Sequence, residues 1–190
     1  AAPSDIPIVF TAVTSAKSAG LDKAPNVTGA TALNDVEKQV ELMYKLKPDA
    51  KKFGILYTTS EDNSTLQKDM AIAAMKARGM SDANIVTKGI SESSNIESAF
   101  VYFKKENVDC IYIPIDNMLA DNADTVHAVN KNTGANIPIV CGETGMSEKC
   151  GVATYGVDYY NIGVKAAEMA FEILVKGKNP SEIAVKDTVV

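Results

Sequence analysis

The sequence predicts an α/β protein in which helices flank a mostly parallel β-sheet. Short apolar runs alternate along the chain with longer segments whose apolar residues recur at the helical period. Several of the apolar runs are continuous rather than alternating, as expected for strands that are covered on both faces. A strand followed by a helix, repeated along a chain, indicates parallel strands joined by right-handed crossovers.

Six apolar runs are predicted to form strands: residues 6–13, 53–58, 84–89, 110–115, 137–142 and 151–156. Three amphipathic segments are predicted to form helices: residues 35–46, 64–78 and 158–176. The second helix is expected to bury the face that carries Leu66, Met70, Ala73, Ala74 and Ala77. The segments 64–67 and 94–97 fit the capping box, in which a hydroxyl and an acid or amide satisfy free N–H groups where a helix begins.

One complete lobe is predicted at 36–150, where strands and helices alternate regularly. Residues 1–35 supply one strand and a turn-rich crossover, and residues 151–190 supply a second crossover and a helix. A lone strand cannot bury itself, so these flanks either pack on the lobe or belong to a second lobe. The residues alone therefore predict one complete lobe and leave both placements of the flanks open.

The composition narrows the classes of partner. The formal net charge is −5 and no long basic run occurs, so nucleic acid and anionic membranes are not expected as main partners. With three cysteines and one histidine, the chain offers neither a zinc motif nor a disulfide framework, and no metal or other cofactor is predicted. Cys141 and Cys150 could pair across a short loop, but unpaired cysteines are favoured.

The segments that follow the predicted strands are the candidate binding residues, because ligands of open parallel sheets bind beyond the carboxyl ends of the strands. These segments are rich in hydroxyls, amides and acids, and they are residues 11–20, 58–64, 116–118, 142–145 and 155–160. The segment 58–64 ends a strand and opens a helix, so its N–H groups suit an anion such as a carboxylate. Alternatively, Ser60, Asn63 and Ser64 cap their own helix.

Other candidate binding residues in these segments have two interpretations as well. Asp116 either caps a helix or holds an ammonium group through a charge-assisted hydrogen bond. Glu143 has the same two interpretations, and the capping role is favoured for it. Tyr155, Tyr159 and Tyr160 either stack on a ligand ring or pack two lobes together.

The sequence does not predict an enzyme. The one histidine, His127, lies in the middle of a helical pattern, where a surface position is expected. No nucleophile elbow, no Ser/His/Asp set and no phosphate-binding glycine loop can be assembled. An α/β enzyme is therefore disfavoured. The glycosylation sequon at Asn26 is discounted, because such tripeptides are common by chance.

Taken together, six segments carry a resemblance to a known family: "IPIVFTAVTSAKSAGL", "NVTGAT", "VEKQVELMYKLKPDAKKFGILYTTSEDNS", "VDCIYIPIDNMLADN", "IPIVCGETGM" and "GVATYGVDYYNIGVKAAEMAFEILVKGKNPSEI". In order along nearly the whole chain, they resemble ABC-transporter substrate-binding proteins of the tryptophan/tyrosine-binding type. That family has the periplasmic-binding-protein-like I fold, with two lobes joined by a three-strand hinge that close on a ligand.

The resemblance implies a function and a set of contacts. It implies an extracytoplasmic protein, either a cell-surface lipoprotein or a periplasmic protein, that delivers an amino acid, mostly an aromatic one, to a membrane permease. By similarity, Asp116 binds the ligand's amino group, and Asn117 is then expected to cap the helix. The turn 60–64 is expected to bind the ligand's carboxylate. Residues 11–14 are expected to close over the ligand from the other lobe. The full set of candidate ligand-binding residues is Thr11, Ala12, Val13, Thr14, Thr59, Ser60, Asn63, Ser64, Asp116, Asn117, Glu143 and Tyr155.

One departure from the family pattern adds an expectation. Family members normally begin with further βα units before the "IPIVF" strand, so this chain resembles a fragment with a shortened first lobe. Exposed apolar surface is therefore expected on residues 6–13 and 158–176, which a second copy could cover by dimerisation or swapping. The alternative function is the ligand-sensing domain of a transcription regulator or receptor with the same fold.

Overall fold

The computed structural model describes residues 5–187 and confirms the predicted α/β class, because parallel strands alternate with helices. The elements in chain order are β1 (Ile8–Val13), β2 (Val27–Thr31), α1 (Val36–Leu46), β3 (Phe53–Thr58), α2 (Asp62–Ala77), β4 (Ile85–Ile90), α3 (Ile96–Lys105), β5 (Cys110–Ile113), α4 (Asn117–Asp121), α5 (Ala123–Asn132), β6 (Ile139–Cys141), α6 (Thr144–Cys150), β7 (Ala153–Thr154), α7 (Tyr159–Leu174) and β8 (Lys186–Asp187). Short 3-10 turns lie at Asp82–Asn84, Ser93–Asn95 and Pro180–Glu182.

The chain forms two compact units. It crosses from unit 1 to unit 2 between Asn34 and Asp35, and it returns to unit 1 between Gly156 and Val157. Unit 2 is therefore the continuous segment from Asp35 to Gly156, and unit 1 is built from the two flanks. The interpretation of unit 1 as part of a family-type first lobe stays a prediction.

Unit 2 contains a five-stranded parallel sheet in the order β4-β3-β5-β6-β7. Its two faces carry separate cores, one beneath α3, α5 and α6 and the other beneath α1 and α2. Because β5 lies in the middle of the sheet, all four of its residues are buried. This explains the continuous apolar run that predicted the strand.

Unit 1 contains a smaller parallel sheet in the order β1-β2-β8, against which α7 packs. Helix α7 buries Ile162 and Met169 and leaves Phe171 and Leu174 exposed. The expected exposure of apolar side chains is therefore found on α7. Within residues 6–13 it is mixed, because Ile6 is exposed whereas Phe10 is buried. A dimer or swap stays a prediction.

The structure corrects several predicted boundaries. The strand predicted to reach residue 115 ends at Ile113, because Pro114 has no N–H to continue the ladder. The strand predicted at 151–156 shortens to Ala153–Thr154. Helix α2 begins at Asp62, two residues before the predicted start. The helix expected to begin at Asp116 or Asn117 is the short helix α4.

Both predicted capping boxes are wrong. Ser64 lies inside α2, and its hydroxyl donates to Asp116 rather than to its own helix start. Ser94 precedes α3, and its hydroxyl donates to Glu92. In each case the pattern of residues is present, but a nearby carboxylate accepts the hydrogen bond from the hydroxyl.

Two smaller expectations are confirmed. Cys110, Cys141 and Cys150 are buried free thiols. His127 is exposed on α5. At the sequon, the Asn26 amide donates to the Ile6 carbonyl, and the buried Thr28 hydroxyl donates to the Ile183 carbonyl. Within the part of the chain that the structure describes, no helix is both long enough and apolar enough to cross a bilayer.

Candidate functional site

The carboxyl edge of the unit 2 sheet gathers most of the predicted binding residues. Strands β3, β5 and β6 are parallel neighbours and end at Thr58, Ile113 and Cys141. The segments that follow them are therefore brought to the same edge, where ligands of open α/β sheets bind. Polar side chains from α2 and from the turn after β5 meet there.

Asp116 is the most densely bonded of these side chains, and it is only 1% exposed. Its Oδ2 accepts from the Thr58 backbone N–H over 2.7 Å and from the Ser64 hydroxyl over 2.6 Å. Its Oδ1 accepts from the Thr58 hydroxyl over 2.8 Å and from the Leu119 backbone N–H over 2.9 Å. Two donors on each oxygen fill the roughly four acceptor positions of a carboxylate.

Asp116 therefore ties together the end of β3, the helix α2 and the start of α4. It is the N-cap of α4, so the expectation that Asn117 takes that role is wrong. A ligand ammonium group would have to compete with four protein donors for this carboxylate. The ligand contact of Asp116 stays a prediction, and its geometry in this structure favours a role in positioning the turn.

Glu61 is a second carboxylate bonded to the start of α4, although it lies immediately before α2 in sequence. It is not among the residues predicted from the sequence. Its Oε2 accepts from the Asn117 backbone N–H over 2.8 Å and from the Asn117 side-chain amide over 2.9 Å. Its Oε1 accepts from the Met118 backbone N–H over 2.9 Å. An acid beside the first N–H groups of a helix is stabilised by the helix dipole. The available signal was the pair of adjacent acids, Glu61 and Asp62, in the segment 58–64, whose other residues carry hydroxyls or an amide.

The backbone of Ile115 is held on both sides by amides of α2. The Asn63 side-chain amide donates to the Ile115 carbonyl over 2.8 Å. The Oε1 of Gln67 accepts from the Ile115 N–H over 3.2 Å. Gln67 is fully buried, and within the described residues its Nε2 has no hydrogen-bond partner. The buried face of α2 is thus partly polar and is directed at the turn after β5.

Thr59, Ser60 and Asn117 are the exposed members of the candidate set in unit 2, and Asn117 is already bonded to Glu61. The Thr59 backbone N–H and hydroxyl both donate to the Ile90 carbonyl, over 2.9 Å and 3.3 Å. Beside Thr59 lies an open groove of about 280 Å³, and its lining residues are Thr59, Lys88, Gly89, Ile90, Ser91, Asn95 and Ser98. These hydroxyls and amides, together with the start of α2, offer hydrogen-bond donors for an anionic group.

The turn after β6 is packed against the turn after β5. A Cβ on Gly142 would lie 2.4 Å from the Ile115 nitrogen and 2.5 Å from the Pro114 carbonyl carbon, so only glycine fits there. The next residue, Glu143, caps α6 by accepting from the N–H groups of Gly145 and Met146. The capping role favoured for Glu143 is thus present, and a ligand contact from it stays a prediction.

Tyr155 is anchored within unit 2 by α1. The buried Gln39 donates to the carbonyls of Gly142 over 3.2 Å and of Tyr155 over 2.9 Å, and it accepts from the Tyr112 hydroxyl over 2.7 Å. The Lys38 ammonium donates to the Tyr155 hydroxyl over 2.8 Å. This hydrogen bond is the main reason that the pKa of Lys38 lies above its ordinary value.

The remaining candidates lie in unit 1. Thr11 and Ala12 are exposed near the carboxyl end of β1, and Val13 and Thr14 are half-buried. Tyr159 and Tyr160 begin α7 and are 44% and 81% exposed. The three tyrosines predicted as one cluster are therefore divided, with Tyr155 in unit 2 and the other two in unit 1. Each unit thus carries its own set of candidate residues.

Parallel α/β units with polar residues along the carboxyl edge define a protein of the periplasmic-binding-protein-like class. Among solved structures, the chain is similar to an ABC domain from Streptococcus pneumonia in complex with L-Trp, with 32% identity and a TM-score of 0.84, covering 98% of this chain and 64% of that one. It is also similar to a ligand-free, open substrate-binding protein with adhesive properties from Clostridium difficile, with 33% identity, a TM-score of 0.76, and 98% and 62% coverage.

The chain belongs to the ABC transporter substrate binding protein family, whose model matches residues 1–189. A curated relative, the tyrosine-binding protein of Clostridioides difficile (strain R20291), is 37% identical over 190 residues. That alignment covers 97% of this chain and 53% of the relative. The chain therefore spans about half the length of the curated relative that it matches.

Proposed function

We propose that this chain belongs to the solute-binding component of an ABC importer and binds an amino acid, most favourably an aromatic one. The observation that carries the proposal is the 37% identity to a tyrosine-binding protein along almost the entire chain. The similarity to a solved domain in complex with L-Trp, at 32% identity, supports the same ligand class. The partners in this proposal are a small amino-acid solute and a membrane permease.

The carboxyl edge of unit 2 suits the polar end of such a ligand. Thr59 and Ser60 are exposed at the start of α2, where N–H groups and the helix dipole favour a carboxylate. Asp116 holds the Thr58 N–H immediately before them. Glu61 and Gln67 join α2 to the segment after β5 by accepting from the Met118 and Ile115 N–H groups. We assign the contact with the ligand to the exposed hydroxyl residues, and the positioning of the edge to the buried acids and amides.

A binding protein without catalysis agrees with the relatives, which are substrate-binding proteins. Substrate-binding proteins of this family act outside the cytoplasm, either as periplasmic proteins or as cell-surface lipoproteins, and we propose the same location here. The alternative role as a ligand-sensing domain of a regulator is not favoured by these relatives. Binding would stabilise the bound conformation through the ligand's differential affinity for it.

Thermal unfolding of the purified protein in the presence of each of the twenty amino acids tests this function. We expect tryptophan, tyrosine or phenylalanine to raise the unfolding midpoint, because a ligand that binds only the folded state stabilises it by mass action. Calorimetric titration of the best ligand then gives its affinity. A clear shift with a sugar or a nucleoside, and none with any amino acid, would contradict the proposal.

A further inference from the structure

Two buried thiols lie at the two ends of one turn-and-helix segment of unit 2. Cys141 is the last residue of β6, and Cys150 is the last residue of α6. They are 0% and 7% exposed, and both belong to the core beneath α3, α5 and α6. Beyond α6, the Val152 N–H donates to the Ile139 carbonyl over 2.8 Å. Helix α6 thus returns the chain to the strand that it left after Cys141.

The backbone beside Cys150 lies against the sulfur of Cys141. A Cβ on Gly151 would be only 2.7 Å from the Cys141 Sγ, so the glycine leaves room for this sulfur. The Cys150 thiol donates to the Met146 carbonyl over 3.4 Å, within its own helix. The Cys141 thiol in turn interacts with the sulfur of Cys150 through a hydrogen bond. The two sulfur atoms are therefore direct neighbours in the core.

This contact makes the two thiols unequal in acidity. The pKa of Cys150 lies below its ordinary value, mainly because the Cys141 thiol hydrogen-bonds to its sulfur. The same hydrogen bond, together with burial, raises the pKa of Cys141. The thiolate is the form of cysteine that attacks a disulfide. Cys150, which is also the more exposed of the two, is therefore the first nucleophile, and Cys141 is positioned to attack second.

Cys110 provides a reference within the same chain. It is buried in the other core of unit 2, beneath α1 and α2. Burial raises the pKa of its thiol to about 12, which leaves very little thiolate at neutral pH. Burial alone therefore protects a thiol in this protein, and Cys110 should not react where the other two do.

We propose that Cys141 and Cys150 are a redox-active pair that forms an intramolecular disulfide by exchange with a small disulfide such as oxidised glutathione. The Cys150 thiolate attacks one sulfur of oxidised glutathione, which forms a mixed disulfide and releases one glutathione thiolate. The Cys141 sulfur then attacks the Cys150 sulfur, and its proton goes to the second glutathione as that thiolate leaves. Two electrons pass from the protein to oxidised glutathione, and two molecules of reduced glutathione are formed.

The disulfide would fasten part of the binding edge of unit 2. It would enclose the turn at Gly142 and Glu143 together with α6. Gly142 packs against the backbone of Pro114 and Ile115, immediately before Asp116. Oxidation therefore anchors both ends of a segment that carries candidate binding residues, whereas reduction leaves α6 held by packing and hydrogen bonds alone. This modification goes beyond the proposed function and requires no amino-acid ligand.

Peptide mapping of the wild-type protein tests the pairing directly. The protein is incubated with mixtures of oxidised and reduced glutathione, blocked with excess N-ethylmaleimide in urea and cleaved with trypsin. Cleavage after the lysines places the three thiols in separate peptides, with Cys141 in 132–149, Cys150 in 150–165 and Cys110 in 106–131. We expect the first two peptides to be linked, with the mass of two hydrogen atoms lost, and the third to carry the maleimide.

The result of the map is decisive in either direction, because it uses the native chain and does not depend on how a variant folds. A disulfide that includes Cys110, glutathione retained on Cys150 without a link to Cys141, or three alkylated peptides in fully oxidised glutathione would each overturn the pairing.

Thermal unfolding of the oxidised and reduced forms tests whether the pair fastens α6. Closing the loop between the two cysteines restricts the unfolded chain, so we expect the oxidised wild type to unfold at least about 3 °C higher than the reduced form. Cys110→Ala should keep this difference, and Cys150→Ala should lose it. Equal midpoints of the two wild-type forms would overturn the fastening. Since no amino acid is present in either experiment, failure here leaves the proposed function untouched.

Discussion

The Ser64 hydroxyl donates to the carboxylate of Asp116 over 2.6 Å, and both side chains are buried. This hydrogen bond joins the first turn of α2 to the turn after β5, which are separated by 52 residues in sequence. Both residues were predicted to contact the ligand, yet in the structure they are hydrogen-bonded to each other. Their first role is thus to fix the edge of the sheet, and this changes what substitutions of Asp116 are expected to do.

Replacing Asp116 by alanine should destabilise the protein as well as weaken ligand binding. The substitution removes the acceptor for the buried Thr58 and Ser64 hydroxyls and for two backbone N–H groups. Hydrogen bonds to a charged group contribute about 1.5–3 kcal/mol each, so we expect the free energy of unfolding to fall by at least about 3 kcal/mol. Urea denaturation of the ligand-free protein measures this fall.

Asp121, an exposed aspartate in the same short helix, provides the matched control. Asp121→Ala should change the free energy of unfolding by no more than about 0.5 kcal/mol. An Asp116→Ala protein with wild-type stability and lost ligand affinity would instead make Asp116 a direct ligand contact. That result would restore the interpretation drawn from the sequence resemblance.

Replacing Gln39 by leucine should disturb the network that joins α1 to β5 and to the segments that follow β6 and β7. The substitution leaves the Tyr112 hydroxyl and the carbonyls of Gly142 and Tyr155 without the partner they have in the native protein. Each buried polar group without a partner costs about 1–3 kcal/mol, so we expect a loss of at least about 2 kcal/mol in the free energy of unfolding. Chemical denaturation gives the value.

A double-mutant cycle with Tyr112→Phe tests whether the loss comes through this network. Tyr112 and Gln39 are hydrogen-bonded partners, so their effects should not add, and the coupling should exceed about 0.5 kcal/mol. Strictly additive effects would show that the two side chains stabilise the protein independently.

The fold could be predicted because its signals are local. The continuous apolar run at Cys110–Ile113 indicated a strand covered on both faces, and the structure buries all four residues. The apolar period of α1 likewise predicted one buried face with Val36, Val40, Met43 and Leu46, and the structure buries the first three but leaves Leu46 exposed at the end of the helix. Such patterns follow from side-chain geometry within one element, so no knowledge of distant contacts is needed.

The polar side of the candidate site could be predicted only in part, because its hydrogen bonds join distant segments. The sequence pattern of α2 placed Ala73 and Ala77 on the buried face, but both are exposed, whereas Ser64 and Gln67 are buried. Apolar periodicity cannot reveal a polar buried face, since its partners lie on β3 and on the turn after β5. The same limit explains why Glu61 was missed and why the cap of α4 was assigned to Asn117.

The free energy of unfolding should fall as the pH rises above about 9, and Cys110 should account for part of the fall. Burial raises the pKa of the Cys110 thiol from its ordinary value of 9.0 to about 12. Between these values the unfolded chain loses this proton and the folded protein keeps it, so ionisation favours unfolding. The stability due to this thiol is fully present below pH 9 and is lost progressively towards pH 12.

Comparison with Cys110→Ala isolates this contribution, because lysines and tyrosines titrate equally in both proteins. Urea denaturation at pH 8 and at pH 10.5 should show a steeper loss of stability in the wild type, with a difference on the order of 1–2 kcal/mol. Parallel pH dependences in the two proteins would show that the Cys110 thiol ionises as readily when folded as when unfolded.

Gly142 and Gly163 differ in their surroundings. A Cβ on Gly142 would lie within 2.5 Å of backbone atoms of Pro114 and Ile115, so Gly142→Ala must push apart the turns that carry Asp116 and Glu143. We expect it to lower the free energy of unfolding by at least about 2 kcal/mol and to weaken ligand binding.

Gly163 lies in the interior of α7 with no atom within 4 Å of such a Cβ. Gly163→Ala should therefore stabilise the protein by about 0.5–1 kcal/mol, because alanine loses less backbone entropy in a helix. Thermal and urea unfolding of both variants measure the contrast, and equal effects of the same sign would contradict the close approach of the two turns.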